Sequence, residues 1–217
     1  MLTRPNSSNR DIWIITGLLA LAGVITTVVV IRNRNARAGF SGYTTDEAFQ
    51  KWINSSNPAW LRNGVWGKIT HDKLHSLHPQ FRSKIMSFFE RIENQTGYTP
   101  IITSGLRDSV KQAELYRQNP SNAKPGYSLH EYGFAVDINL LDSKTGKVVI
   151  DKNSSKSKWD NSGVLKIAKG MGLLWGGTFA GYYDPVHFYV EPKGKKSTDL
   201  LALRNKGKVD KKGYVLV

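Results

Sequence analysis

The hydrophobic pattern of this chain predicts amphipathic helices and short strands. Between Pro79 and Asn94, apolar side chains recur every three or four residues, which is the spacing of one helix face. From Gly133 to Leu140 the pattern changes to alternation, in which every second side chain is apolar. Alternation is typical of a half-buried strand, and here the second face of the strand presents Asp137.

Shorter signals predict the remaining elements. Thr45 and Asp46 can cap a helix that ends near Asn54, and Asp108 or Ser109 can cap a helix to about Gln118. The other predicted elements are strands over Thr99–Thr103, Val148–Ile150 and Val186–Val190 and a helix over Asn161–Met171. This mixture favours an α+β fold, in which helices pack against a small antiparallel sheet.

Composition divides the chain into five segments. They are a short polar N-terminal tail (1–11), an apolar segment (12–31), a linker (32–44), one folded domain (45–192) and a basic C-terminal tail (193–217). A chain of 217 residues, of which 40% are hydrophobic, can bury one good core. The absence of cysteine excludes disulfides and thiol chemistry.

The apolar segment is a run of twenty residues without a charge, flanked by arginines on both sides. A helix needs about 20 such residues to cross a bilayer, so we predict one transmembrane helix over 12–31 that anchors the protein. The alternative is a cleaved secretory signal, for which Ala36-Arg-Ala38 resembles the cleavage site. The run is longer than usual for a signal, and arginines separate it from that site.

The net charge of +14 is concentrated at the two ends of the chain. Residues 193–217 hold eight basic and two acidic residues, whereas 45–192 hold 18 basic and 14 acidic residues. A basic tail attracts anionic polymers or lipid surfaces, or is simply a solvated segment. Because Tyr214 is its one aromatic residue, we expect no specific binding of nucleic acid.

Two histidines and two carboxylates supply the candidate chemistry. His130 lies just before the alternating strand that carries Asp137, and a second predicted strand carries His187. A hydrolytic zinc site uses three protein ligands and keeps one position for water, so these three residues can form a three-ligand face for Zn²⁺. Asp184, three residues before His187, can take a proton from the water as a general base.

Arg107 is the candidate for stabilising negative charge, because it follows a predicted strand and could bind a substrate carbonyl or carboxylate. Each residue alone has an ordinary explanation, such as packing, a solvent-facing position or a turn, and only their coincidence favours a catalytic site. A competing metal arrangement is His71, His75 and His78, whose spacing suits helical ligands.

These residues carry a resemblance to a known family. The motif SxHxxGxAxD is met by Ser128, His130, Gly133, Ala135 and Asp137. An acid three residues before the last histidine is met by Asp184 and His187, and an SGxR element by Ser104 to Arg107. Over roughly residues 68–191 the chain thus resembles the LAS-type zinc peptidases, within the D-alanyl-D-alanine carboxypeptidase and L-alanyl-D-glutamate endopeptidase family.

The resemblance implies a role for each of these residues. His130, Asp137 and His187 would bind Zn²⁺, Asp184 would be the catalytic base, and Arg107 would stabilise the transition state. Ser128 would support the site by hydrogen bonding. The fold implied is the LAS/hedgehog-like zinc peptidase fold, and the implied substrate is the stem peptide of peptidoglycan.

The expected function is therefore a membrane-anchored zinc peptidase that cuts peptidoglycan. Aspartate at 184, where carboxypeptidases usually have glutamate, favours the endolysin-like endopeptidase branch and the L-Ala-D-Glu bond. The alternatives are a D,D-carboxypeptidase that releases terminal D-Ala, and a wall-binding module without turnover. The expected location is the bacterial cell envelope or the membrane of a phage virion. The arginine counts and a wall substrate predict opposite orientations in the membrane, so the orientation stays open.

Overall fold

The computed structural model describes residues 12–15, 28–31 and 45–217, which fall into two units divided after Gly42. In the first unit, strands β1 (Ile12–Ile15) and β2 (Val28–Ile31) pair antiparallel. The two ends of the predicted transmembrane helix are thus strands, in keeping with their many β-branched residues. The rest of that prediction, the N-terminal tail and the linker lie outside the described residues. Among the helices of the described residues, none has the length and apolar character that a bilayer crossing requires.

The second unit begins with three helices that precede the sheet. They are α1 (Asp46–Ser56), α2 (Gly64–His75) and α3 (Pro79–Gln95). The predicted face of α3 is buried in the core, and proline occupies its first turn, where a missing N–H costs nothing. Helix α2 was not predicted, because its few apolar residues form no clear helical stripe.

One five-stranded antiparallel sheet forms the centre of this unit. Its strands are β3 (Tyr98–Ser104), β4 (Ala135–Asp142), β5 (Val148–Ile150), β6 (Leu174–Trp175) and β7 (His187–Tyr189). The order is β3-β4-β7-β6, and β5 also pairs with β4. Strand β4 is thus central, and its buried face, including Val136 and Ile138, packs into the core beneath α3.

The remaining helices surround the sheet. They are α4 (Ser109–Gln118), α5 (Lys156–Asn161), α6 (Val164–Gly170) and α7 (Ser197–Asn205). The predicted helix over Asn161–Met171 is divided, because Gly163 adopts a positive φ of 77° between α5 and α6. Together these elements are the α+β arrangement of a small antiparallel sheet with packed helices that the sequence predicts.

The predicted basic tail over 193–217 is part of the folded unit, which corrects the boundary placed at 192. Leu200 of α7 and Val215 are buried in the same core as the sheet. His78 Nε2 lies 3.2 Å from the carbonyl of Val215, and the Tyr214 hydroxyl donates to the carbonyl of Ser76. The high charge of this segment concealed these few apolar anchors.

The three histidines that were suggested as a competing metal site do not form one group. The rings of His71 and His75 stack on α2 with centroids 6.4 Å apart, whereas His78 points to Val215 and caps α3 through Gln80 N–H. Within the described residues, these histidines belong to no group of ligand atoms that could share an ion.

Leu200→Ala is expected to destabilise the protein by about 2–5 kcal/mol, because it empties a fully buried position. The matched control is Leu216→Ala, since Leu216 lies in the same C-terminal segment but is 55% exposed. Denaturant unfolding of both variants measures the difference. Equal, negligible effects would mean that the segment is a detached tail.

Candidate metal centre

The register of two central strands brings the first two site residues together. In the pairing of β4 with β7, Asp137 lies directly opposite His187. On its other side Asp137 pairs with Ser104 of β3, after a bulge that follows Ile102. Directly opposed side chains on one face of an antiparallel pair lie about 4.5–5.5 Å apart at Cβ, so the contact between Asp137 and His187 follows from the register.

His130 reaches the same point from a 3₁₀ turn, Leu129–Tyr132, that precedes β4. The turn ends at Gly133, whose positive φ of 71° favours glycine. A Cβ at this position would also lie only 2.5 Å from the backbone nitrogen of His78. His130 Nδ1 lies 2.8 Å from the carbonyl of Gly105 and therefore carries a proton. That bond fixes the tautomer, and the lone pair of Nε2 faces Asp137 and His187.

Three ligand atoms form a nearly equilateral triangle. His130 Nε2 lies 3.2 Å from His187 Nδ1 and 3.3 Å from Asp137 Oδ1, and the last two atoms are 3.0 Å apart. In the part of the chain that the structure describes, this is the one group of three such residues close enough to share a metal ion.

The donor set fits Zn²⁺. Ligands about 2.1 Å from a tetrahedral metal are roughly 3.4 Å apart, so the triangle needs to expand by only a few tenths of an ångström. Its atoms are two imidazole nitrogens and a carboxylate oxygen, the usual ligands of catalytic zinc in the absence of cysteine.

The charges around Asp137 favour its ionised form. Burial alone would raise the pKa of Asp137, but the adjacent His130 and His187 outweigh it and hold that pKa well below its usual range. An ionised carboxylate is the form that binds a metal.

Asp184 is half-buried and close enough to the triangle to feel its charges. Burial, followed by the negative charge of Asp137, raises the pKa of Asp184 above its ordinary value. The electrostatic influence of His187, His130 and Arg107 acts in the opposite direction and lowers this pKa. Two hydrogen bonds fix the backbone of Asp184. Its N–H donates to the carbonyl of Gly176, and its carbonyl accepts from the N–H of His187. A carboxylate with a raised pKa is a better proton acceptor, as a general base requires.

Arg107 also lies close to Asp137. Its guanidinium Nη2 is 3.9 Å from Asp137 Oδ2 and donates to Ser104 Oγ at 2.9 Å. Its backbone N–H donates to the carbonyl of His130, which ties the arginine to the turn that carries a predicted ligand. The guanidinium is thus fixed next to the triangle, where it can meet an oxyanion.

The comparisons with known proteins agree with this geometry. A family model described as D-alanyl-D-alanine carboxypeptidase matches residues 121–190. The chain is 31% identical over 128 residues to the peptidoglycan L-alanyl-D-glutamate endopeptidase CwlK of Bacillus subtilis (strain 168). The alignment covers 54% of this chain and 74% of that protein. The chain belongs to the LAS-type zinc peptidases. The predicted family and enzyme class, a peptidoglycan peptidase, are confirmed.

A solved structure is also similar to this peptidase. It is the L-Ala D-Glu endopeptidase ChiX of Serratia marcescens, with 20% identity, a TM-score of 0.44, and coverage of 58% of this chain and 90% of that one.

The predicted role of Ser128 stays a prediction. The residue is buried beside His130. Its backbone N–H lies 3.3 Å from Glu131 Oε2, and its carbonyl accepts from Glu131 N–H. Ser128 therefore belongs to the turn that places His130.

The structure of the peptidase adds Glu131, which sequence reasoning missed. This buried carboxylate accepts from Ser109 Oγ at 2.8 Å and from Gly126 N–H at 2.7 Å, in addition to Ser128 N–H. It therefore joins the start of α4 to the turn that carries His130. The spacing Ser128-x-x-Glu131 is that of a capping box and was the available signal.

Gly176 is a second residue whose structural role the sequence did not reveal. A Cβ at this position would lie 2.6 Å from the carbonyl oxygen of Asp184 and 2.9 Å from His187 Cβ. Only glycine lets the segment that follows β6 pass this close to both residues. The Trp175-Gly-Gly177 sequence is the signal that marks it.

Asp137→Ala is expected to weaken zinc binding by at least about 100-fold, more than the 10–100-fold typical of residues that only support a ligand. Competition with a colorimetric zinc chelator measures the affinity. Asp142→Ala, at the far end of the same strand, is the control and should bind zinc like the wild type. Wild-type affinity in Asp137→Ala would remove Asp137 from the ligand set.

Proposed function

We propose that this protein is a zinc endopeptidase that hydrolyses the L-Ala-D-Glu bond in the stem peptide of peptidoglycan. The observation that carries the proposal is the triangle of His130, Asp137 and His187, with Asp184 and Arg107 near it. The choice of bond is supported by the name of the Bacillus relative and by aspartate at position 184.

In this mechanism His130, Asp137 and His187 would hold the metal. A bound zinc ion supplies Lewis acidity, which polarises a carbonyl and acidifies water. Asp184 accepts a proton from the attacking water and then donates it to the leaving amine, so one carboxyl group is base first and acid second. Arg107 donates hydrogen bonds to the carbonyl oxygen as negative charge develops on it.

The second candidate is a D,D-carboxypeptidase, which the description of the matching family model favours. The same residues would perform the same proton transfers, because only the position of the scissile bond along the stem differs. The two functions are therefore distinguished by product and not by site geometry.

The test incubates the purified full-length chain with peptidoglycan and zinc and identifies the products by mass spectrometry. The proposal expects new termini at L-Ala and D-Glu. Free D-Ala without an internal cut would select the carboxypeptidase, and an intact stem peptide would leave only a wall-binding module. Asp184→Asn should lower kcat by about 10²–10⁴-fold, the usual contribution of a general base. Asp160→Asn, an exposed carboxylate paired with Lys156, should not.

We also propose that residues 12–31 attach the enzyme to a membrane, either of the bacterial cell envelope or of a phage virion. The support is the run of twenty residues without a charge between flanking arginines. To reach peptidoglycan, the folded unit must lie on the side of the membrane that faces the wall.

Deleting residues 12–31 is expected to move the protein from the membrane fraction to the soluble fraction. Immunoblots of fractionated cells or virions measure the distribution, with the catalytically impaired Asp184→Asn full-length chain as the control that should remain with the membrane. A wild-type chain that is already soluble, or a deletion that stays membrane-bound, would contradict attachment through this segment.

A further inference from the structure

Two side chains hold the guanidinium of Arg107 by its two terminal nitrogens. Nη2 donates to Ser104 Oγ at 2.9 Å, and Nη1 donates to Gln112 Oε1 at 2.8 Å. The first contact comes from the end of β3, and the second comes from α4. Because the nitrogens are engaged separately, the plane of the guanidinium is fixed as well as its position.

Gln112 is itself held rigidly. Its side chain is 1% exposed, and Nε2 donates to the carbonyl of Ala123 at 2.6 Å. A carbonyl only accepts and a guanidinium only donates, so the amide of Gln112 has one orientation that satisfies both partners. Glutamate would place an oxygen against the Ala123 carbonyl, and leucine would leave both partners without their bond.

The position of Arg107 matters because Asp137 is close. The distance of 3.9 Å between Arg107 Nη2 and Asp137 Oδ2 is just beyond hydrogen-bonding range. A guanidinium released from the side chains of Ser104 and Gln112 could close this gap and form a hydrogen-bonded ion pair with that carboxylate. It would then compete for a predicted metal ligand and no longer be directed at a substrate oxygen.

We propose that Gln112 is a positioning residue for peptide cleavage, which acts by holding Arg107 for transition-state stabilisation. The bond to Ala123 extends this support to the loop 119–127, which leads into the turn of His130. Residues 107 and 112 both lie outside the 121–190 segment that the family model matches. The inference rests on the proposed function, since it requires Arg107 to act on the substrate.

The first experiment compares Gln112→Leu with Gln118→Leu in the zinc-loaded full-length enzyme. Gln118 is the matched control, because it lies on the same helix but is exposed and bonds only to Glu114 within α4. With a soluble muropeptide, Gln112→Leu should lower kcat by about 10–100-fold with KM within about threefold, since the lost interaction belongs to the transition state. Zinc content and the thermal midpoint should match the control. An equal loss in both variants, or a loss explained by missing zinc or a lower midpoint, would overturn the proposal.

The second experiment asks whether Gln112 acts through Arg107. Affinity for a phosphinate analogue of L-Ala-D-Glu is measured for the wild type, Gln112→Leu, Arg107→Ala and the double variant. If Gln112 acts through Arg107, the Gln112→Leu substitution weakens binding of the analogue by about tenfold when Arg107 is present. In the Arg107→Ala background the same substitution has no effect on binding. Equal weakening in both backgrounds would show that Gln112 acts by another route and would sink the proposal.

A conservative variant covers the case in which Gln112→Leu does not fold. Gln112→Glu keeps an acceptor for Arg107 and should retain more kcat than Gln112→Ala, whereas the reverse order would contradict the assignment. A wild type that binds the analogue but cuts no stem peptide would remove the proposed function, while the affinity cycle would still report on Gln112 and Arg107.

Discussion

The site depends on one strand register, that of β4 against β7. Because side chains alternate along a strand, a slip of one residue would move Asp137 to the core face and bring Val136 or Ile138 opposite His187. The slip is opposed by the whole apolar face of β4, which would become exposed. Burial of Val136, Ile138 and Phe188 therefore specifies where the carboxylate and the imidazole meet.

The other half of the site is built from loops, and buried polar groups take the place of strand register there. Glu131 joins the start of α4 to the turn of His130, Gln112 joins α4 to the following loop, and Arg107 N–H bonds to the carbonyl of His130. A buried polar network is favourable only when every member has a partner. This requirement makes the loops as specific as the sheet, although they bury little apolar surface of their own.

Elements with a strong local sequence pattern were predicted well, whereas elements without one were missed. The stripe of α3 and the alternation of β4 each report a face buried in the core, and both elements were predicted to within about two residues. Helix α2 carries no such stripe, and the break at Gly163 depends on a backbone angle that spacing does not encode. Helix α7 was missed because the lysines that flank it marked the segment as a polar tail, although α7 carries a buried anchor, Leu200.

The candidate site divides in the same way. The sequence alone allowed His130, Asp137 and His187 to be grouped, because the alternation of β4 determines which side of the strand Asp137 occupies. The functions of Gln112 and Glu131 depend on the closure of a loop onto α4, a contact between residues with no common periodicity. Their three-dimensional neighbours, a carbonyl, a guanidinium and two backbone N–H groups, show what these two side chains do.

His78 connects the C-terminal segment to the start of α3, and its bond to α3 depends on acidity. The neutral ring donates from Nε2 to the Val215 carbonyl and accepts at Nδ1 from Gln80 N–H, while its backbone N–H donates to the carbonyl of Gly133. Burial lowers the pKa of this ring, although the bond to Val215 acts against the shift. As the pH falls below about 6.5, an unfolded chain gains a proton that the folded ring resists, so acid reduces folding stability at this position. A second ring proton, on Nδ1, would displace the cap of α3 but keep the bond to Val215, so acidification would loosen the start of that helix while the C-terminal segment stays bound to the ring.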